Sequence, residues 1–214
     1  MKSKITKIES TRNKDRVNVY VDEEYSFSAS LEVVYKCKLH VDDEIELKEI
    51  QAIAEADNYH KGKDYALRII EVYSKTKKEI IDKLKTKGYD KDTISKIIVF
   101  IEEYDLIDDN IYVERFIECK MKSQGKRMIK YNLLAKGIPE DIIVSRLALI
   151  EEAQEEDLAK GLALKKYNTL KKSETDKNKL YKKLGEFLTR KGYSHDIIKK
   201  VVSEILKEEF EAWS

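Results

Sequence analysis

Three histidines, two cysteines and 42 lysines and arginines are the side chains with chemistry to offer. His40, His60 and His195 are scattered, without the spacing of a metal site, and no H-E-x-x-H occurs. Cys37 and Cys119 form no C-x-x-C pair and are expected to be reduced, half-buried thiols. There is no G-x-G, no Walker loop and no G-x-S-x-G, so no phosphate cradle or nucleophile elbow is written here. With 41 Asp and Glu spread along the chain, a pair of carboxylates singles out nothing. The expectation is a protein that is not an enzyme and needs no cofactor or metal.

What remains is positive charge. Between Cys119 and Pro139 lie six basic residues and no acid: Lys120, Lys122, Lys126, Arg127, Lys130 and Lys136. From Leu158 to His195 there are eleven basic residues against three acidic ones, with Lys165, Lys166, Arg190 and Lys191 among them. Such stretches can contact phosphates and make binding salt-dependent. They can equally solvate the backs of helices, or lay their aliphatic stems along an apolar stripe. Lys126 falls on a core-register position, which favours the second fate. Aromatic rings set among cations can stack on single-stranded bases. Of thirteen tyrosines, Tyr131 and Tyr167 stand beside basic residues and are the contact candidates. Tyr20, Tyr89, Tyr112, Tyr193 and Phe116 sit in apolar patterns and are expected to be core or half-buried.

The elements that must position these residues repeat. Leu84–Ile94, Leu133–Ile143 and Leu188–Ile198 each place Leu four residues before Gly, and Asp and Ile four and six after it. Gly ends a helix in the left-handed conformation. Asp90 and Ser194 suit N-caps, and Pro139 suits a first helical turn. Ile94, Ile97, Ile98 and Ile101 occupy one helical face, and Ile143, Leu147 and Ile150 repeat it with Arg146 in the Ile97 place. Ile198, Val201, Val202 and Ile205 repeat it again. Ile80 and Leu84 correspond to Ile129 and Leu133, and to Leu184 and Leu188. Thr76-Lys77-Lys78-Glu79 reads as a capping box. Ala66, Leu67, Ile69, Ile70 and Tyr73 form the first apolar stripe. Three three-helix units follow, over residues 64–107, 108–151 and 152–214, none able to bury its apolar face alone.

Residues 1–63 differ. Ile5 to Ile8, Val17 to Val21 and Tyr25 to Phe27 alternate as strands do, with strand confined to before about residue 30. Ser30 can cap a short helix, Val41 to Ile45 reads as a connector, and Lys48 to Ala56 as a second helix. The fold class is therefore mainly α: tandem three-helix repeats in an elongated curved array, with a small N-terminal β-ribbon plus helix region. The net charge of +1 implies neither an acidic nor a basic partner, and no run of 18 apolar residues exists. A cytoplasmic monomer with no membrane contact is expected. Trp213 is expected to pack on the last helix or to lie in a frayed end.

The same residues carry a family resemblance. Ala66-Leu67-Arg68, the Leu84 to Ile94 turn, and Leu106-Ile107-Asp108-Asp109 with Tyr112, Arg115 and Phe116 resemble the RecX family, regulators of the recombinase RecA. The Leu133 to Ile143 turn and Leu188 to Ser194 complete the match, over roughly residues 64–206. The preceding region resembles, less specifically, the N-terminal extension of longer members. Asp105 departs from the family's usual Gly before Leu-Ile-Asp-Asp, so that turn is expected to differ in shape. The resemblance implies three three-helix units in a curved rod that binds along the groove of the RecA–DNA filament, with weak affinity for single- or double-stranded DNA. It implies inhibition of strand exchange, of ATP hydrolysis and of repressor autocleavage, the SOS co-protease activity. From the residues alone, a helical nucleic-acid-binding module or a protein scaffold fits as well.

Overall fold

The structure, a computed structural model, describes residues 2–211 apart from Arg12 and Tyr73, with the backbone alone for 209–211. Tyr73 of the first stripe and Trp213 thus lie outside the described residues. The chain forms two compact units, residues 1–108 and 109–214. No helix among the described residues is long and apolar enough to cross a membrane.

In the first unit, β1 (Ser3–Ser10), β2 (Arg16–Val21), β3 (Glu24–Ser30) and β4 (Glu44–Ile45) form an antiparallel sheet in the order β3-β2-β1-β4. The β2–β3 hairpin turns at Asp22 and Glu23, both at positive φ (50° and 70°), the geometry of a two-residue hairpin loop. Its cost is offset locally: Glu23 N–H donates to Thr6 Oγ1 at 3.0 Å, and Lys4 N–H to Asp22 Oδ1 at 3.2 Å. The fourth strand corrects the expectation that strand ends near residue 30. Ile45 there faces the sheet core with Ile5, Val19 and Ala29. Ser30 caps α1 (Leu31–Lys36), accepting from Val33 N–H.

A second correction concerns α2 (Leu47–Val72), which runs as one 26-residue helix through the expected break near residue 63. Its small or polar residues Ala54, Asn58, Gly62 and Ala66 recur every fourth position and are all buried. That stripe lets two layers approach one helix. Ala54 joins the sheet core, whereas Ala66 joins Ile80, Leu84, Ile97 and Ile101 of α3 (Lys77–Thr86) and α4 (Lys91–Glu103). A Cβ on Gly62 would stand 2.6 Å from Ile97 Cδ1, so any larger residue there would have to displace the end of that side chain. Arg16 ties the layers: its Nη1 donates to Asn58 Oδ1 at 2.8 Å, and its guanidinium lies 4.6 Å from the Tyr89 ring centre. Burial lowers its pKa.

The second unit holds α5 (Asp109–Met121), α6 (Lys126–Ala135), α7 (Glu140–Ala148), α8 (Glu152–Leu170), α9 (Lys177–Lys191) and α10 (His195–Glu211). The repeated turn is geometrically the same in all three copies. Gly88, Gly137 and Gly192 take φ of 85°, 80° and 89°. Tyr89, Ile138 and Tyr193 each donate N–H to Leu84, Leu133 and Leu188 carbonyls at 3.2 Å. Gly88, Gly137 and Gly192 N–H each bond three residues back at 2.9 Å, completing the paired bonds of a Schellman ending. Asp105 takes φ of 48°, so the residue in place of the family's glycine adopts the left-handed conformation. Arg146 in the Ile97 place is half-buried and pairs with Glu114 of α5.

Leu84, Leu133 and Leu188 are all fully buried. Truncating any one to Ala should cost about 2–5 kcal/mol, read as a lower denaturant midpoint at unchanged slope. Three costs within about 0.5 kcal/mol, as for surface substitutions, would contradict the equivalence.

Candidate functional site

The twelve candidate residues do not share one fate. Tyr167 is a core residue, 6% exposed, packed with Ala163, Leu184 and Leu188 and covered by Lys171, so it offers no ring for stacking. Its position on the α8 stripe, four residues after Ala163, decides this over its basic neighbours. Tyr131 is 68% exposed on α6. Lys130 is paired with Glu140 Oε1 at 2.5 Å. Lys120 and Lys136 lie over the rings of Phe116 and Tyr112, at 5.8 and 5.7 Å from their centres. Lys122 and Lys165 are exposed. Cys119, expected half-buried, is exposed, because the α5 apolar stripe passes through Val113, Ile117 and Met121 instead.

Lys126 and Arg127 of repeat two and Arg190 and Lys191 of repeat three meet at one junction, which the sequence places more than sixty residues apart. The N-terminus of α6 abuts the C-terminal turn of α9. Gly125 N–H donates to Lys191 O at 2.9 Å, and Arg127 N–H to Gly192 O at 3.2 Å. Lys126 N–H donates to Glu155 Oε1 at 3.0 Å, and its Nζ to Ile150 O at 2.7 Å. Glu155, on α8, is 7% exposed and also lies 3.5 Å from Lys126 Nζ. Lys126 is thus an internal cation with its charge already met, as its core-register position suggests.

The side chains of Arg127 and Arg190 point outward as exposed cations, while Lys191 and Lys166 are half-buried against Phe187, at 5.7 and 5.9 Å from its ring centre. Two lysines from α8 and α9 thus share one aromatic ring, and the α6 backbone meets the turn that follows Lys191. The α6 N-terminus, an anion site in an open helix, has its first amides occupied. Glu155 was not singled out in the sequence. The one signal was a Glu at an a-type position of the α8 stripe, where Ala159 and Ala163 follow at four-residue steps. A separate cleft of about 690 Å³ lies between α2 and α4 in the first unit, lined by Ala52, Ala56, Tyr59, Val99 and Phe100, and takes in none of the twelve.

Comparison with known proteins agrees with this architecture along its length. The family descriptions for the regulatory protein RecX match its N-terminal domain to residues 3–46 and its first, second and third three-helix domains to 63–100, 108–145 and 154–202. The chain belongs to the RecX family. A regulatory protein RecX of Clostridium tetani (strain Massachusetts / E88) is 44% identical over 205 residues, covering 95% of both chains. That of Clostridium perfringens (strain 13 / Type A) is 44% identical over 208 residues, covering 97% of this chain and 98% of its own. A crystal structure of a regulatory protein RecX superposes with a TM-score of 0.65 at 28% identity, covering 93% of this chain and 98% of that one. RecX from Lactobacillus salivarius superposes with a TM-score of 0.62 at 32% identity, covering 70% of this chain and 97% of its own. As a RecX family member, this chain shares its kinship with proteins named as regulators.

The junction also contains a titrating group. Tyr193, 2% exposed, follows Gly192, and its hydroxyl has no hydrogen-bond partner among the described residues. Burial pushes its pKa up to about 12, and the nearby Glu155 carboxylate adds in the same direction. An unfolded tyrosine ionises near pH ~10. Between those values the folded chain holds a proton that the unfolded chain releases, so this contribution to stability is intact below about pH 10 and falls as pH rises toward about 12. Tyr193→Phe should therefore unfold at the same or a higher denaturant midpoint at pH 7, and lose less stability than wild type between about pH 10 and about 12. An equal alkaline loss in both would show that Tyr193 is not buried as described.

Proposed function

We propose that this protein regulates a RecA-type recombinase by binding the recombinase–DNA filament and restraining its strand exchange, ATP hydrolysis and promotion of repressor cleavage. The observation that carries the reading is RecX family membership over nearly the whole chain. The protein performs no bond-making step itself and acts in the cytoplasm as a monomer. The filament is its main partner and free DNA a weak one. A net charge of +1 suits this better than tight binding to naked nucleic acid, which rests on a large excess of cations.

The filament-facing residues in this reading are Arg127, Arg190, Lys166 and Lys191, with Tyr131 one turn further along α6. Lys122 and Lys165 are secondary contributors. Lys126, Lys130 and Tyr167 leave the contact set, since each is already engaged within the fold.

The test is RecA ATP hydrolysis on single-stranded DNA, with the cognate recombinase and the protein at comparable amounts. Wild type should suppress hydrolysis. Arg127→Glu combined with Arg190→Glu should weaken suppression by about tenfold and make the salt dependence of filament binding shallower. Lys130→Glu, which reverses a charge already paired with Glu140, should weaken it less. No effect of wild type on hydrolysis would remove the proposal, and an unchanged inhibition constant in the double variant would return both arginines to solvent.

A further inference from the structure

The orphan amides at the start of a helix are ordinarily met by the residue just before it or by water. Among the described helices, α3, α4, α9 and α1 follow that rule with Thr76, Asp90, Asp176 and Ser30. Helix α6 is preceded by Gly125, which has no side chain to cap with. Its amides at Gly125, Lys126 and Arg127 go instead to Lys191 O, Glu155 Oε1 and Gly192 O, all on repeat three.

The steric terms agree with the hydrogen bonds. A Cβ on Gly125 would stand 2.7 Å from Gly192 O. A Cβ on Gly192 would stand 2.4 Å from Met128 N, and φ of 89° already disfavours any other residue there. Gly192 thus has two separate requirements, one within its own repeat and one from its neighbour. Gly88 has only the first, with Arg16 Cδ and Nε at ordinary van der Waals distance.

We infer that repeats two and three are welded into one rigid body at the α6–α9 junction, and that Glu155 is the positioning residue that holds Arg127, Arg190, Lys191 and Lys166 as a single basic surface. The positioning role rests on the filament reading above, whereas the weld stands apart from it. The carboxylate acts on the contact residues indirectly. It accepts the Lys126 amide and neutralises the Lys126 ammonium, whose other bond, to Ile150 O, reaches the segment joining α7 to α8. Without it the part-buried Lys126 amide loses its acceptor and the half-buried ammonium its counter-charge, which leaves the Gly125 and Arg127 amides alone to hold the first turn of α6 on α9.

The test uses the full chain in two arms. In the first, amide hydrogen exchange is followed by mass spectrometry with residue-level fragmentation. In wild type the Lys126 and Arg127 amides should exchange as slowly as the Tyr193 amide, as expected of one cooperative unit. Glu155→Ala should speed exchange at Lys126 and Arg127 by about tenfold or more, leaving the Ile94 and Ile98 amides of the first unit unchanged. Glu155→Gln keeps an acceptor oxygen and should restore most of the protection. Rates at Lys126 and Arg127 within about twofold of wild type in Glu155→Ala would overturn the weld.

The second arm is inhibition of filament ATP hydrolysis. Glu155→Ala should weaken it by several-fold, Glu155→Gln should recover it, and Leu147→Ala, a core truncation elsewhere in repeat two, should leave it near wild type at a temperature where all are folded. Equal weakening by Leu147→Ala would reduce Glu155 to a merely stabilising residue and overturn the positioning role. So would unchanged inhibition in Glu155→Ala. A wild-type chain without effect on the filament would remove the functional reading while the exchange result still decided the weld.

Discussion

Helices α3 and α6 are each 10 residues long, and α7 is 9. An isolated helix shorter than about 12–15 residues is marginal in water, so none of these exists without its neighbours. The constraint they share is the left-handed glycine that ends one helix and turns the chain onto the next. Of its paired backbone bonds, the one from the residue after glycine returns to the carbonyl of a fully buried leucine, so one feature closes the helix, aims the following one and anchors the core. Each unit then needs only a third helix to cover the remaining apolar stripe, and α2, α5 and α8 supply it.

In the third copy the same turn carries an additional load. Its carbonyls face the start of α6, so the end of a helix in one repeat completes the beginning of a helix in another. Opposite ends of two helix dipoles meet there, a favourable arrangement that a capping side chain within the repeat would not provide. The charges behave consistently with this economy. Lys126 meets Glu155 and Lys130 meets Glu140, so two of the six cations between Cys119 and Pro139 are paired within the fold, and beyond that run Arg146 meets Glu114. Around the junction itself two arginines are exposed, and two lysines are held half-buried against Phe187.

The repeat was legible because it is local. Leucine, glycine and isoleucine at fixed offsets specify a turn and two helix faces with no long-range information. The unbroken α2 was not legible, because its stripe of Ala54, Asn58, Gly62 and Ala66 is too small and too polar to register as apolar periodicity. Strand β4 is two residues long and is defined by pairing with β1 rather than by its own pattern. At Tyr167 helical register outweighs composition, since adjacent lysines say less about a ring than its place on the α8 stripe does. The junction could not be read at all. The partners of Gly125 lie in a different repeat, where only three-dimensional contact reveals that both glycines serve one interface.

The central claim is that the α6 face beside this junction meets the recombinase filament. It is tested most directly by placing a photo-crosslinking amino acid at Tyr131, which is 68% exposed and one turn from Arg127, and irradiating the full chain with assembled filament. The account predicts crosslinks from that position to the recombinase or its DNA, and few from the same probe at Tyr35, 84% exposed on α1 in the first unit. Crosslinks from Tyr35 with none from Tyr131, under conditions where the filament is inhibited, would contradict it.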